Sequence, residues 1–312
     1  MSNILLIDGS NMFIRTYSAV ASLDLHGNSN GGIVGTLSSL NFIINQCNLD
    51  KVIFVWDGIG GSKKRRSILK DYKNKRKPTR LNRNYEYELT DIDKNKELQR
   101  IRLDEYLKDL PIWKIEIEDI EADDVIAYLV KVFEEDDIVI ASSDKDFYQL
   151  LNNKVKIFNS ATKMFVTEAD VSLKFNIAPQ NFTLARSIIG DPSDNIAGVK
   201  GIGIKNTLKL FPFLSLPKEY NLDYLFNFAL SSNDKKYDKI LSNEEIIRTN
   251  FKVMNLKDII ISYHSIAKIN ESINEKKSFT STSFRLKLME DGITNFSDNF
   301  FKTFRILNIK ED

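Results

Sequence analysis

The sequence predicts an α/β fold with a mostly parallel central sheet flanked by helices, and three observations carry that expectation. First, the β-branched apolar runs NILLID (3–8), KVIFVWD (51–57) and DIVIASSD (137–144) read as buried strands. Second, helical patterns lie between them, in VGTLSSLNFIIN (34–45) and ADDVIAYLVKVF (122–133). Strands that alternate with helices build parallel sheets covered on their faces. Third, 312 residues with 42% hydrophobic side chains supply the core of one large domain or two intimately joined ones.

Further along the chain, KVKIFNSATKMFVT (154–167) predicts a hairpin turning around Ser160 and Ala161. From about residue 168 the pattern becomes helical. PQNFTLARSIIG (179–190) opens on proline and stops at glycine, the usual polarity of helix punctuation. GVKGIGIKNTLKLF (198–211) is a glycine-rich turn leading into a helix, and SNEEIIRTNFKVM (242–254) starts with a capping-box pair, Ser242 and Glu245. Residues 85–109 form a mixed-charge amphipathic helix whose apolar members are Leu98, Ile101, Leu103 and Leu107. Residues 215–240 and 265–283, rich in Asn, Lys and Ser, are expected to be dominated by loops.

Composition excludes several classes. No apolar run approaches the roughly 18 residues of a membrane span, so no membrane is expected. MSNILLIDGS lacks the basic flank and cleavage site of a signal peptide. One cysteine, Cys47, rules out an intramolecular disulfide and a cysteine-built zinc site. The protein is expected to be cytoplasmic. Charge is unevenly spread: Lys63 to Arg83 holds eleven Lys or Arg against one acid, Asp71, a local +10, so a chain of net +1 carries −9 elsewhere.

The acids have a pattern of their own. Each strand run ends in an aspartate, Asp8, Asp57 and Asp144, with Asp146 two residues on. Ligands of open parallel sheets bind beyond these C-terminal strand ends. Asp-Gly at 8–9 and 57–58 is also a turn signature, so each acid alone has a structural explanation. EDIEADD (118–124) packs five carboxylates into seven residues at a helix start, where acids complement the helix dipole. Glu121 and Asp124, three apart, share one side of that helix, with Asp123 about 100° round. GDPSDN adds Asp191 and Asp194.

Nine carboxylates at one pocket would be costly without cations. Oxygen-only ligands suit Mg²⁺ or Mn²⁺, and only His26 and His264 are available for a softer site. Two such ions roughly 4 Å apart activate water against a phosphodiester without a side-chain nucleophile. Metal-assisted phosphodiester hydrolysis is therefore the expected chemistry.

KKRRSILKDYKNKRKPTR (63–80) follows Asp57 directly. Charge runs are usually solvated loops, yet this one sits between core elements beside an acidic edge. Lys63, Lys64, Arg65 and Arg66 suit a phosphate backbone, and Tyr72 could stack on a base. In the glycine-rich turn, Gly198, Gly201 and Gly203 allow close backbone approach, and Lys200, Lys205 and Lys209 stand without an acid from 195 to 212. A tight helix–helix turn is the packing alternative.

LLIDGSN, VWDG, EADD, SSDKDF and GDPSDNIAGVKGIGIKNT, in this order over residues 4–211, resemble the 5′ nuclease (flap endonuclease) superfamily, and within it the 5′→3′ exonucleases (ribonuclease H) of T-even phages. The resemblance implies a single nuclease domain over 1–312. Within it lie a helical arch at 58–107, a helix–hairpin–helix DNA-binding subdomain at 176–230 and a C-terminal helical segment at 240–312.

It also implies that Asp8, Asp57, Glu121, Asp123, Asp144, Asp146, Asp191 and Asp194 hold two or more Mg²⁺, with Asp124 in the same cluster and Mn²⁺ able to substitute. Asp144 and Asp146, with Lys73 and Arg76 of the arch motif DYKNKR, would be catalytic. Tyr72, Lys73 and Arg76 would contact the strand, and the glycine-rich turn would grip duplex DNA around a K⁺. The expected substrate is DNA with a 5′ flap, nick or RNA primer. Replication proteins such as a single-strand-binding protein or a sliding clamp are possible partners, and a monomer is expected. NFF (299–301) is similar to clamp-binding peptides, but its preceding residues do not fit, so a packed helix is expected there. No polymerase module follows, so a stand-alone nuclease is expected.

Two other readings remain open at this stage. A PIN-like single-strand ribonuclease would share the acidic edge but lack the arch and glycine-rich turn. A nucleic-acid-binding protein with an inactive site would have lost acids, and all nine are present.

Overall fold

The computed structural model describes residues 1–74, 81 and 91–309. In chain order the first half contains β1 (Asn3–Asp8), α1 (Gly9–Ala19), α2 (Gly31–Gln46), β2 (Lys51–Trp56), α3 (Lys63–Ile68), α4 (Ile92–Lys108), β3 (Trp113–Glu116), α5 (Ala122–Val132) and β4 (Asp137–Ala141). A 3₁₀ turn, Lys145–Leu150, then leads to β5 (Val155–Asn159) and β6 (Met164–Val166). The second half is helical apart from two short strands: α6 (Glu168–Phe175), α7 (Phe182–Ile189), β7 (Gly190–Asp191), β8 (Ile196–Ala197) and α8 (Ile204–Leu210). It closes with α9 (Leu222–Ser231), α10 (Asp238–Leu241), α11 (Glu244–Met254), α12 (Tyr263–Asn274), α13 (Ser281–Glu290) and α14 (Asp298–Ile309).

The main sheet runs β3-β2-β1-β4-β5-β6, parallel except for the antiparallel β5–β6 hairpin. Its strands are continuous apolar runs because helices cover both faces. Alternate residues of β1 therefore enter different cores. Ile4 and Leu6 pack with Ile53, Val125, Ile126 and Ile140, while Leu5 and Ile7 pack with Phe13, Phe54, Trp56 and Leu37. Register levels the strand ends: Leu6 sits opposite both Ile53 and Ile140, and Asp8 opposite Val55. The chain moves outward from β1 to β3 and then returns to β4 on the other side. That reversal leaves a crevice at the C-terminal edge beside β1.

Several expectations need correction. Asp8-Gly9 is not a turn: Asp8 caps α1, accepting from Asn11 N at 3.0 Å, a helix that the sequence reading did not anticipate. The short strand β3 was also missed, since four residues alternating buried and half-buried give little periodic signal. β4 stops at Ala141, and Asp144 caps the following 3₁₀ turn rather than ending the strand. No capping box forms at 242–245: Asn243 is the N-cap, and the Ser242 hydroxyl donates backwards to Lys239 O. Of the helix expected over 85–109, α4 covers 92–108 and positions 85–90 lie outside the described residues; of its four apolar members, Leu103 and Leu107 are buried but Leu98 and Ile101 are exposed. Residues 215–240 and 265–283 are largely helical, because Leu225, Phe226, Tyr237, Ile240, Ile269 and Ile273 give these stretches apolar side chains to bury. Phe300 and Phe301 are buried in α14, as expected of a packed helix.

Candidate active site

The crevice is lined by acids delivered from five separate segments. Asp8 comes from β1, Asp57 from the end of β2, Asp123 from α5, Asp144 from the 3₁₀ cap and Asp194 from the β7–β8 turn. All five line one cavity of about 520 Å³, together with Asn11, Arg15, Ser193 and Lys73. Backbone and hydroxyl donors hold the carboxylates in place. Ser142 Oγ donates to Asp8 at 2.9 Å and accepts from Asp144 N at 3.1 Å, tying β1 to the β4 loop. Asp57 Oδ1 accepts from Ala122 N at 2.8 Å, which fixes the start of α5 against the end of β2. Asp144 Oδ1 accepts from Asp146 N at 2.9 Å.

Crowding carboxylates together away from water disfavours their charged form. Burial, then the neighbouring Asp57 and Asp144, push Asp8 up to about 7. Burial also drives Asp123 well above the usual carboxylate range, with Asp144 and Asp8 adding to it and Lys73 opposing. Asp144 is raised as well, chiefly by burial. A set of repelling oxygen ligands in one cavity fits hard divalent cations, whose charge would offset this cost. No three acidic, histidine or cysteine side chains among the described residues stand close enough to hold one ion as they are, so the fit lies in the donor set.

The other four acids are engaged by arginine. Arg65 is inserted between Glu121 and Asp124, bonding Glu121 through Nη1 and Asp124 through Nη2 at 2.8 Å, while its Nε donates to Val253 O at 2.9 Å. Burial pushes Glu121 upward, but Arg65 and Lys73 together hold it below the usual range. At Asp124, burial, with the neighbouring Glu121 adding to it, outweighs Arg65 and Lys64, and its pKa is raised. Arg186 of α7 spans Asp146 at 3.0 Å and Asp191 at 2.5 Å. Burial, and then Asp144, push Asp146 up to about 7 against the pull of Arg186. The helical geometry expected for 121–124 is observed, since Asp123 faces the cavity while Glu121 and Asp124 face Arg65. Glu121, Asp124, Asp146 and Asp191, expected among the metal ligands, are ion-paired within the protein.

With this geometry in hand, comparison with known proteins is decisive. Residues 3–176 match the 5′-3′ exonuclease family, N-terminal resolvase-like domain. A 5′-3′ exonuclease of Buchnera aphidicola from Acyrthosiphon pisum is 30% identical over 260 residues, 81% of this chain and 86% of that protein. The chain belongs to the 5′-3′ exonuclease family. It is a 5′ nuclease, an enzyme that hydrolyses phosphodiesters. The flap endonuclease Xni of Psychromonas ingrahamii is 29% identical over 275 residues, covering 83% of this chain and 97% of that one. In fold, the nuclease is similar to bacteriophage T5 flap endonuclease in a complex with DNA and metal ions, with TM-score 0.66 and 22% identity over 94% of this chain and 100% of that one. It is also similar to the catalytic core of Rad2 in complex with DNA substrate, with TM-score 0.51 and 14% identity over 98% and 90%.

The basic segment of the nuclease divides by burial. Lys63, Lys64 and Arg66 are exposed; Lys63 pairs with Asp119 at 2.6 Å and Lys64 donates to Ile260 O at 3.2 Å. Arg65, expected on DNA, is buried because two carboxylates claim its guanidinium. Tyr72, expected to stack on a base, is 3% exposed among Ile196, Val253 and Met254, and its hydroxyl donates to Glu121 at 3.2 Å. Lys73 does reach the cavity. It sits at φ +58, its N donates to Asp194 O at 2.9 Å, and its amine donates to Glu121 at 2.5 Å. Arg76 lies outside the described residues.

In the glycine-rich turn, a side chain on Gly198 would meet Ile189 O at 1.9 Å, so this glycine serves the close approach of the chain after β8 to the end of α7. Gly201 (φ +82) and Gly203 are exposed, as are Lys200 and Lys205. Sequence reasoning missed Arg15, Arg186 and Ser142. The signal for Arg15 was available, since Asp8, Asn11 and Arg15 fall on one face of a helix starting at Asp8. Arg186 bonds the nearby Asp191 but also Asp146, 40 residues away, and Ser142 joins the nearby Asp144 to the distant Asp8, so neither bridging role left a periodic mark.

Proposed function

We infer that this 5′ nuclease is structure-selective and metal-dependent, cutting DNA near the 5′ end of a flap, nick or RNA primer during replication or repair. The observation that carries the reading is the convergence of Asp8, Asp57, Asp123, Asp144 and Asp194 on one cavity with Lys73 at its rim. Two or more Mg²⁺ held by these acids, with Mn²⁺ able to replace them, would supply activation of water and stabilisation of the leaving oxygen. The relatives' names support a 5′ end and a flap, the DNA and metal ions named for the T5 complex support both ligands for this fold, and the DNA substrate named for the Rad2 complex supports the first.

Roles follow for this chain's own residues. Lys73 carries a positive charge into the mouth of the cavity and takes a phosphate oxygen in exchange for Glu121. Lys63, Lys64 and Arg66, with Arg76, follow the strand backbone. Gly198, Gly201, Gly203, Lys200 and Lys205 form the duplex-gripping turn, where a K⁺ would bind exposed carbonyls. The segments 58–107, 176–230 and 240–312 act as arch, duplex-binding and closing parts of a cytoplasmic monomer that works beside a single-strand-binding protein or sliding clamp.

The test is cleavage of a labelled 5′-flap duplex with Mg²⁺, against EDTA and a matched single-stranded RNA. Mg²⁺-dependent cutting near the flap junction is expected. Cutting of the RNA alone would overturn the reading in favour of a single-strand ribonuclease.

A further inference from the structure

The geometry points to a nucleobase subsite in the second cavity beside the acids, between α1, α2 and the β5–β6 hairpin, holding one unpaired base of the DNA strand under attack. This inference rests on the 5′ nuclease reading and names a contact that the reading leaves open. The cavity holds about 450 Å³, within the roughly 300–1,000 Å³ of small-molecule sites. Its floor is apolar, built from Met12, Val34, Ile43 and Phe158, and the ring of Phe42 stands 38% exposed along one edge.

The rim carries only positive charge. Arg15 and Lys163 both line it, the Lys163 amine 5.3 Å from the Phe42 ring centroid, and no acid lines the cavity. Lys163 is held there by the hairpin turn, at φ +56 with its N donating to Asn159 O at 2.8 Å. Ser160 Oγ, buried beneath the same turn, has no hydrogen-bond partner. An apolar slot with an aromatic edge, two flanking cations and one unused hydroxyl matches a single base between two phosphates. Aromatic side chains take bases by stacking without regard to sequence, and a base exposes its faces only when unstacked.

Continuity fixes which nucleic acid it is. Arg15 lines both this cavity and the acid cavity, so a strand whose phosphate lies among the aspartates has its adjoining nucleotide at the mouth of the slot. The acid cavity repels bare phosphate without its cations, whereas the slot attracts it. The slot can therefore position the strand before or after the cut.

The experiment walks a single abasic site along the cleaved strand of a 5′-flap duplex, with full-length protein. At one position the abasic site should raise KM about tenfold, the scale of one stacking contact, with kcat within about twofold. Phe42→Ala, and Ser38→Trp, which fills the slot from its exposed rim, should raise KM similarly on intact DNA, and the abasic site should then add nothing. Melting curves matching the wild type would show that both variants fold. Wild-type enzyme that cuts intact flaps but shows no position-specific abasic loss, or a loss additive with both variants, would overturn the subsite. Failure to cut any flap would overturn the parent reading instead. A deoxynucleoside monophosphate that inhibits the wild type but not Ser38→Trp, on a strand insensitive to abasic sites, would assign the slot to free nucleotide and also overturn the proposal.

Discussion

Asp144 illustrates how much a single carboxylate does here. It lines the acid cavity, caps the 3₁₀ turn and raises the pKa of both Asp8 and Asp146. Asp144→Asn keeps the shape and the hydrogen-bonding oxygen but removes one charge from the metal-binding set. Flap cleavage should fall by at least about a hundredfold, the scale of lost electrostatic stabilisation at a reacting centre, while flap binding measured by anisotropy stays near wild type. Loss of binding would point to a fold defect instead.

The raised acids also set a pH dependence. Asp8 and Asp146 have folded values of about 7 against ordinary values of 3.8, so the folded state binds their protons more tightly than the unfolded chain does. Their contribution is fully present below pH 3.8 and is lost as pH rises through 7. In EDTA, Tm should therefore fall between pH 5 and 8, and Asp8→Asn should flatten that fall; a Tm rising over the same range would count against it. At this scale the acids of the cavity were legible, because a position at or just past a strand end (Asp8, Asp57, Asp144), in a first helical turn (Asp123) or in a turn motif (Asp194) is a local property. The arginines that claim four others were not, since Arg65 lies 56 residues from Glu121 and Arg186, though only five from Asp191, lies 40 from Asp146.

Among the elements, α3 changes character once Arg65 is seen to be buried. Its exposed cations and its buried one should separate by experiment. Neutralising Lys63, Lys64 and Arg66 together should lower the salt slope of DNA binding by about 0.9 for each phosphate left unneutralised, with little change in stability. Arg65→Ala should do the reverse, leaving two buried carboxylates uncompensated and costing about 3–5 kcal/mol in denaturant unfolding. Equal effects of the two variants on the salt slope would show that Arg65 contacts DNA after all.

The glycine-rich turn divides similarly. Gly198→Ala must displace the Ile189 carbonyl and should cost about 1–3 kcal/mol. Gly203, with open space around it, should accept Ala with little loss of stability. Elements were legible where periodicity was strong, as in β1, β2, α2 and α5. They were illegible where the apolar helix α9 lies between polar stretches, where α12 hides a narrow apolar stripe among polar residues, and where Asp8-Gly9 carries a turn signature yet starts a helix.

Over the whole molecule, the sheet with helices on both faces followed from the sequence because a buried parallel strand leaves an unbroken apolar run. The order of strands did not, since nothing local marks β1 as central. That order has a consequence for the newly made chain. β1 is the first strand to be synthesised, but its partner on one side, β4, ends at Ala141. At roughly 5–20 residues per second of synthesis, on the order of ten seconds separates the two. Through that interval the central strand has an uncovered edge, and neither core can close. The enzyme's central strand is therefore its oldest yet waits longest for its second partner, and the acid cavity cannot form until Asp144, just beyond β4, follows.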